Sequence, residues 1–201
     1  MSRTIYLLRH GQTELNAERR MQGHCDSPLT ELGQAQARAM GAVLRRQLGD
    51  ARDWHVIASP LGRAMQTARL VCEELALPAE VIQAEPRLIE VAFGEWEAAQ
   101  VELLHAEIPV LATLPNWHFN APNCEPYEAV LARIEQWLAD PLLPHQLIVV
   151  AHGLLGKILR GVYAGLDFDA LWAQDMPQEA FYKLHNGELL RIECTLPVQR
   201  I

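Results

Sequence analysis

The sequence predicts an α/β protein, a three-layer α/β/α sandwich with a mostly parallel sheet and a short helical cap insertion. Short apolar runs at 4–8, 54–58 and 146–151 alternate with longer stretches of helical period. Such runs suit strands buried on both faces, as parallel sheets require. Each run ends in a polar step: Arg9-His10-Gly11, Ser59-Pro60 and His152-Gly153.

Taken in order, residues 4–8 form a buried strand that stops at Arg9. Thr30 opens a long helix whose alanines, Leu32, Met40, Val43 and Leu44 lead to a stop near Gly49. The strand at 54–58 is ended by Ser59-Pro60 and followed by a helix from about Arg63 to Leu75. Pro78 breaks the chain before a third strand at 81–83. The pattern then weakens, with Pro109, Pro115 and Pro122 among scattered aromatics, so a cap insertion at about 91–123 is expected within a single domain spanning 1–201. Helix returns at 125–138, and the clearest buried strand, 146–151, leads into a helix reaching about Tyr163. Asn186-Gly187 between two apolar runs marks a terminal hairpin.

Composition narrows the function. The 201 residues are 50% hydrophobic and carry a formal charge of −8, ordinary for a globular protein and unlike a nucleic-acid binder, whose footprint is a basic face. Cys25, Cys72, Cys124 and Cys194 show no CxxC spacing, so reduced thiols are expected. Arg9 and His10 arrive before a signal-peptide core could form, and no apolar run is long enough to span a membrane. A cytoplasmic location, no membrane contact and no nucleic-acid partner are the expectation. Nothing in the sequence chooses between monomer and homodimer.

In open α/β sheets, ligands bind beyond the carboxyl ends of the strands. A lone Arg-His-Gly is a weak motif, but a second His-Gly after another buried strand, with Arg63 after a third, brings two arginines and two histidines toward one point. Gly11 and Gly153 let the backbone approach a ligand closely, and the helix after His152 offers amides to an anion.

These residues carry a resemblance. The stretches Leu8-Arg-His-Gly-Gln-Thr-Glu-Leu-Asn16 and Gln22-Gly-His-Cys-Asp-Ser-Pro-Leu-Thr-Glu-Leu-Gly33, with Ser59-Pro-Leu-Gly-Arg-Ala-Met-Gln-Thr67, Leu88-Ile-Glu-Val-Ala-Phe-Gly-Glu-Trp-Glu97 and Val150-Ala-His-Gly153, follow one another in family order. The chain resembles the phosphoglycerate mutase-like histidine phosphatase superfamily, from its N-terminus to about Gly161. The resemblance implies that His10 is the nucleophile, that Arg9, Arg63 and His152 hold the transferring phosphoryl group, and that Glu90 is the general acid. Asn16 would contact phosphate from the loop. Gln22 and Gly23 either touch substrate or only shape the loop, and Gly153 adds its backbone. The mechanism implied needs no metal and no cofactor.

The chemistry fits that division. Phosphoryl transfer asks chiefly for positioning and for charge stabilisation at the equatorial oxygens, and arginine forks match phosphate. Nearby positive charge should keep the His10 imidazole neutral and nucleophilic. A poor alkoxide leaving group benefits from a protonated carboxyl.

Other signals fail. Glu31 stands where the cysteine-phosphatase loop beginning at Cys25 needs an arginine. Asp167-Phe168-Asp169 follows a helix instead of a strand, and Gly156-Lys157 lacks a glycine-rich loop. His105, His118 and His145 have no metal-ligand spacing and read as surface residues.

Within the resemblance two reactions stand open, hydrolysis and a mutase-type transfer, beside a phosphoryl-binding domain without turnover. A mutase must grip a second anionic group, yet residues 88–132 contain no Lys or Arg. The cap is also shorter than is typical of the family's mutases. A phosphatase of a small phosphorylated metabolite with a neutral or apolar leaving group is therefore expected. Trp117 and Phe119 either stack on that group or pack onto the core, and Arg19 and Arg20 are either substrate contacts or solvated charges. Ala98, where the family usually has Gly, and Cys124-Glu125-Pro126, where it usually has Gly-Glu-Ser, are departures expected to border the pocket.

Overall fold

A computed structural model describes residues 3–195. In chain order the elements are β1 (Thr4–Arg9), α1 (Glu14–Ala17), α2 (Glu31–Leu48), β2 (His55–Ala58), α3 (Gly62–Leu75), β3 (Gln83–Ala84), α4 (Val101–Glu107), α5 (Tyr127–Leu138), β4 (Gln146–Ala151), α6 (Gly153–Ala164), α7 (Phe168–Ala173), β5 (Ala180–His185) and β6 (Glu188–Glu193). The sheet order is β3-β2-β4-β1-β5-β6, parallel through the first four strands and antiparallel through the last two.

Strand alternation builds the three layers. Tyr6, Leu8, Val56, Ala58, Ile148 and Val150 share one apolar cluster with Met40 and Leu44 of α2 and with Ala68 and Val71 of α3. Ile5, Leu7, Ile57, Leu147 and Val149, one position out of phase, meet Ile134 and Trp137 of α5 and Leu155 and Ile158 of α6 on the opposite face. With both faces covered, the central strands lose the polar-out positions an open sheet would show.

Several boundaries differ from expectation. The third strand is only Gln83–Ala84; Ala79–Val81, following Pro78, instead makes a 3₁₀ turn with no alternating face to bury. Pro126 stands at the N-cap of α5, which therefore starts at Tyr127 rather than Glu125. The hairpin turn places both Asn186 (φ 51°) and Gly187 (φ 79°) in the left-handed region, as a two-residue primed turn requires. Asp167 caps α7, its side chain accepting from the Ala170 amide.

Between Val91 and Pro126 the chain is largely irregular, with 3₁₀ turns on either side of α4. Val91, Trp96, Leu104, Leu111 and Ala121 nonetheless join the apolar cluster that contains Ile5 and Val149. All four cysteines are free thiols. Among the described residues no helix is long and apolar enough to cross a membrane.

Candidate active site

Parallel pairing places the carboxyl ends of β1, β2 and β4 on one edge. The ladder runs one residue past each of the two flanking strands, with the His10 amide bonded to Ala151 O at 3.0 Å and the Ser59 amide to Val150 O at 2.9 Å. His10 and Ser59 are thus fixed by backbone before their side chains make any contact.

The His10 ring is 3% exposed, and its Nδ1 lies 2.8 Å from Gly11 O. A carbonyl only accepts, so Nδ1 carries the proton and Nε2 keeps its lone pair. Arg63 Nε donates to that Nε2 at 3.3 Å, while its two terminal nitrogens donate to Cys25 O at 2.9 Å and Gly23 O at 2.7 Å. Burial, then Arg63 and Arg9, hold the His10 pKa well below the ordinary histidine value. The next turn of α3 reinforces the corner, since Thr67 Oγ1 accepts from the Gly11 amide at 3.1 Å and donates to Arg63 O at 2.8 Å. A Cβ on Gly11 would fall 2.1 Å from Gly33 O, so the close crossing under α2 needs glycine there.

Arg9 donates through one terminal nitrogen to Met176 O, and its Nε is buried with no partner. A Cβ on Gly153 would come within 3.1 Å of that Nε. His152 lies behind His10, ring centroids 5.2 Å apart, with Nε2 2.6 Å from Ser59 Oγ and Nδ1 buried without a partner. Its pKa too is pushed well down, by burial first and then by Arg63, His10 and Arg9.

Glu90 is 6% exposed and sits at the amino end of α6. Its Oε1 accepts from the amides of Val91 at 3.0 Å and Leu155 at 2.9 Å, and Oε2 from Leu154 at 3.2 Å. Asn16 closes a capping box with Thr13, and Gln178 Nε2 links Asn16 Oδ1 (3.1 Å) to His10 O (3.2 Å).

A cleft of about 580 Å³, counting its solvent-open mouth, joins these groups. Its walls include Arg9, His10, Asn16, Gln22, Gly23, Arg63, Glu90 and Gly153. Of the nine residues singled out in the sequence, His152 alone does not line it, although it backs His10 directly.

Two readings are corrected. His118 is not a surface residue; it lines the cleft, stacked on Trp117 at 4.1 Å, because the 3₁₀ turns fold it inward over the core. His105 likewise packs edge-on against Trp117, with its Nε2 buried. Of the cap aromatics, Phe93 and Trp117 reach the cleft, whereas Phe119 packs against Tyr127 and Trp172. Arg20 lines the cleft, bonded to Glu18 and to Ala98 O, while Arg19 pairs outside with Glu102.

Sequence reasoning missed Glu97, Gln178 and Met176. The Glu97 carboxylate accepts from the His24 amide at 2.9 Å, the Phe93 amide at 3.3 Å and the Cys25 thiol at 3.4 Å, pinning the loop whose carbonyls hold Arg63. A glutamate at the end of a motif signals this role only once its partners are known. Met176 and Gln178 lie in a stretch with no motif.

The family model described as the histidine phosphatase superfamily (branch 1) matches residues 5–188. The chain belongs to this superfamily. A protein of Enterobacter sp. (strain 638) named "Probable phosphoglycerate mutase GpmB" is 39% identical over 195 residues, covering 94% of this chain and 84% of that one. The "Adenosylcobalamin/alpha-ribazole phosphatase" of Salmonella typhimurium is 34% identical over 162 residues, 77% of each chain. The solved alpha-ribazole phosphatase of Shigella flexneri superposes with a TM-score of 0.75 at 25% identity, covering 98% of this chain and 99% of the other.

Against the superfamily pattern, the two departures stand back from the cleft instead of bordering it. Ala98 adopts φ 61°, the left-handed conformation that favours glycine, and its carbonyl accepts from Arg20. Glu125 forms a two-pronged pair with Arg133 at 2.8 and 3.0 Å, and Cys124 Sγ reaches His118 O at 3.7 Å.

Proposed function

We propose that this superfamily member is a phosphomonoesterase that works through a phosphohistidine on His10 and needs no metal or cofactor for the transfer. The observation that carries the reading is the His10 ring itself, with Nδ1–H committed to Gly11 O and the Nε2 lone pair facing Arg63. An incoming phosphate would draw Arg63 Nε from that nitrogen onto an equatorial oxygen. Arg9, with its unpartnered Nε, and the unpartnered Nδ1 of His152 would complete the cradle. Two fixed positive charges and neutral histidines suit a phosphoryl group in transfer.

In the first step His10 Nε2 bonds to phosphorus, the ester P–O bond breaks, and the leaving oxygen takes a proton. Glu90 would supply it. Three of its four in-plane acceptor sites are filled by amides, so the proton would sit on the remaining site, on Oε2. In the second step the Glu90 carboxylate takes a proton from water, whose oxygen bonds to phosphorus as the P–N bond breaks. His10 is then regenerated and inorganic phosphate leaves.

The relationship to the GpmB protein of Enterobacter keeps a mutase-type transfer as a second reading. Hydrolysis is favoured because, among the described residues, the only Lys or Arg lining the cleft are Arg9, Arg63 and Arg20, and Arg20 is already held by Glu18. The relationship to the alpha-ribazole phosphatase of Salmonella supports the same choice.

Quenching a labelled monoester in base during turnover tests the mechanism. An acid-labile adduct should form on the wild type and vanish in His10→Ala. No adduct, with near-normal turnover by the variant, refutes it. Interconversion of 3- and 2-phosphoglycerate at a rate comparable to hydrolysis would decide for the mutase.

A further inference from the structure

The cleft has two unlike ends. Arg9, His10, Gln22 and Arg63 face the phosphate end, and the cap side is walled by Met21, Phe93, Val101, Trp117 and His118. Within that mostly apolar wall, His118 supplies two ring nitrogens and Trp117 an indole N–H. Neither of its ring nitrogens has a hydrogen-bond partner among the described residues, and Nδ1 is shielded from solvent. The ring is nonetheless locked. It stacks on Trp117 at 4.1 Å and 21°, with Phe93 6.0 Å away at 32°, and Trp117 is braced in turn by His105 at 4.7 Å.

We propose that His118 selects the leaving group, and that the group it selects is uncharged and carries a hydroxyl. This deepens the phosphatase reading and rests on it. A ring held in place with unpaired nitrogens is prepared for a ligand, because no side chain must be ordered when the bond forms. No protein partner sets its tautomer, so the nitrogen offered to the ligand can donate or accept, and a hydroxyl complements either state. Burial, with Lys157 and His105 nearby, pushes the His118 pKa down to about 4, so the ring offers no countercharge to an anionic group near neutral pH. Of the cations near this end, Arg20 is engaged by Glu18 at 2.8 Å and by Ala98 O at 2.7 Å, and Lys157, which does not line the cleft, donates to Trp172 O at 3.2 Å. Among the described residues lining the cleft, a second carboxylate or phosphate would meet no cation at that end that is not already engaged.

Ribose 5-phosphate, whose leaving group is neutral and hydroxylated, and phenyl phosphate, whose leaving group has no hydroxyl, are the probes. His118→Phe keeps a flat ring against Trp117 and removes both nitrogens, and His118→Gln restores a hydrogen-bonding group. The ratio of kcat/KM for ribose 5-phosphate to that for phenyl phosphate should fall about ten- to a hundredfold in His118→Phe and recover in part in His118→Gln. An unchanged ratio overturns the proposal. The same two esters are also titrated calorimetrically into His10→Ala, with and without His118→Phe. A matching fall in relative affinity, even if no ester is turned over, would uphold His118 while the phosphatase reading fails. Ribose 5-phosphate binding no tighter than inorganic phosphate would overturn His118 alone.

Discussion

Arg63 Nε donates to His10 Nε2 at 3.3 Å, while the other arms of the same guanidinium grip the carbonyls of Cys25 and Gly23. One side chain therefore orients the imidazole and ties α3 to the loop at 22–25. Arg63→Lys keeps the charge but cannot reproduce three bonds from one planar fork. Steady-state kinetics should show kcat/KM lower by about a hundredfold or more, a loss of about 3 kcal/mol in transition-state stabilisation. Activity within a few-fold of wild type would show that charge alone suffices.

Glu90→Gln separates proton donation from helix capping. The amide oxygen can still accept from α6, but no proton is available for the leaving group. Hydrolysis of an alkyl phosphate should slow about 10²–10⁴-fold, and 4-nitrophenyl phosphate, whose leaving group departs unprotonated, far less. Equal losses on both esters would remove Glu90 from the role of acid.

Glu97 acts on Arg63 at one remove, by pinning the loop that carries Gly23 and Cys25. Glu97→Ala leaves two amides and a thiol without their acceptor and should cost about 1–3 kcal/mol of stability. It should also weaken inhibition by vanadate, with Glu97→Gln recovering part of both. Gly23→Ala should act similarly, because at φ 53° its Cβ would lie 2.3 Å from Glu97 Oε1.

Stability should fall with acid. His10, His118 and His152 all have pKa values below that of an unfolded histidine, so the unfolded chain binds more protons as pH drops below about 6.5. Each then removes up to about 1.4 kcal/mol per pH unit until its own folded value is reached, about 4 for His118. Denaturant unfolding of wild type and His118→Phe between pH 7 and 4 measures this. The variant should lose stability less steeply, and identical slopes would contradict the assignment.

Ala98 holds a left-handed backbone at φ 61°. Ala98→Gly should relieve that strain and, after the extra entropy of the unfolded chain, stabilise by about 0.5–1 kcal/mol in thermal or urea unfolding. A destabilised variant would show that the Ala98 methyl group contributes packing worth more than the strain.

Much of this architecture was legible because it depends on local pattern. Uniformly apolar runs announce strands covered on both faces, and glycine after each histidine marks a close backbone approach. The short edge strand was misplaced at 81–83 because a two-residue strand has no period to read; its pairing with Ile57 and Ala58 alone defines it. The cap was legible only as irregular, since its turns take their shape from burying Trp96, Leu104 and Leu111 against the sheet.

By itself the sequence determined the α/β layering and the strand ends, and its resemblance to the superfamily singled out Arg9, His10, Arg63, Glu90 and His152, since each depends on residue type at a fixed place along the chain. Tertiary structure alone decided which His10 nitrogen is free, that Glu90 is held by the amides of α6, that Glu97 and Gln178 serve the site, and that His118 rather than Phe119 faces the cleft. Those outcomes are hydrogen bonds and contacts between residues as many as 168 positions apart, and no local period or spacing encodes such partners.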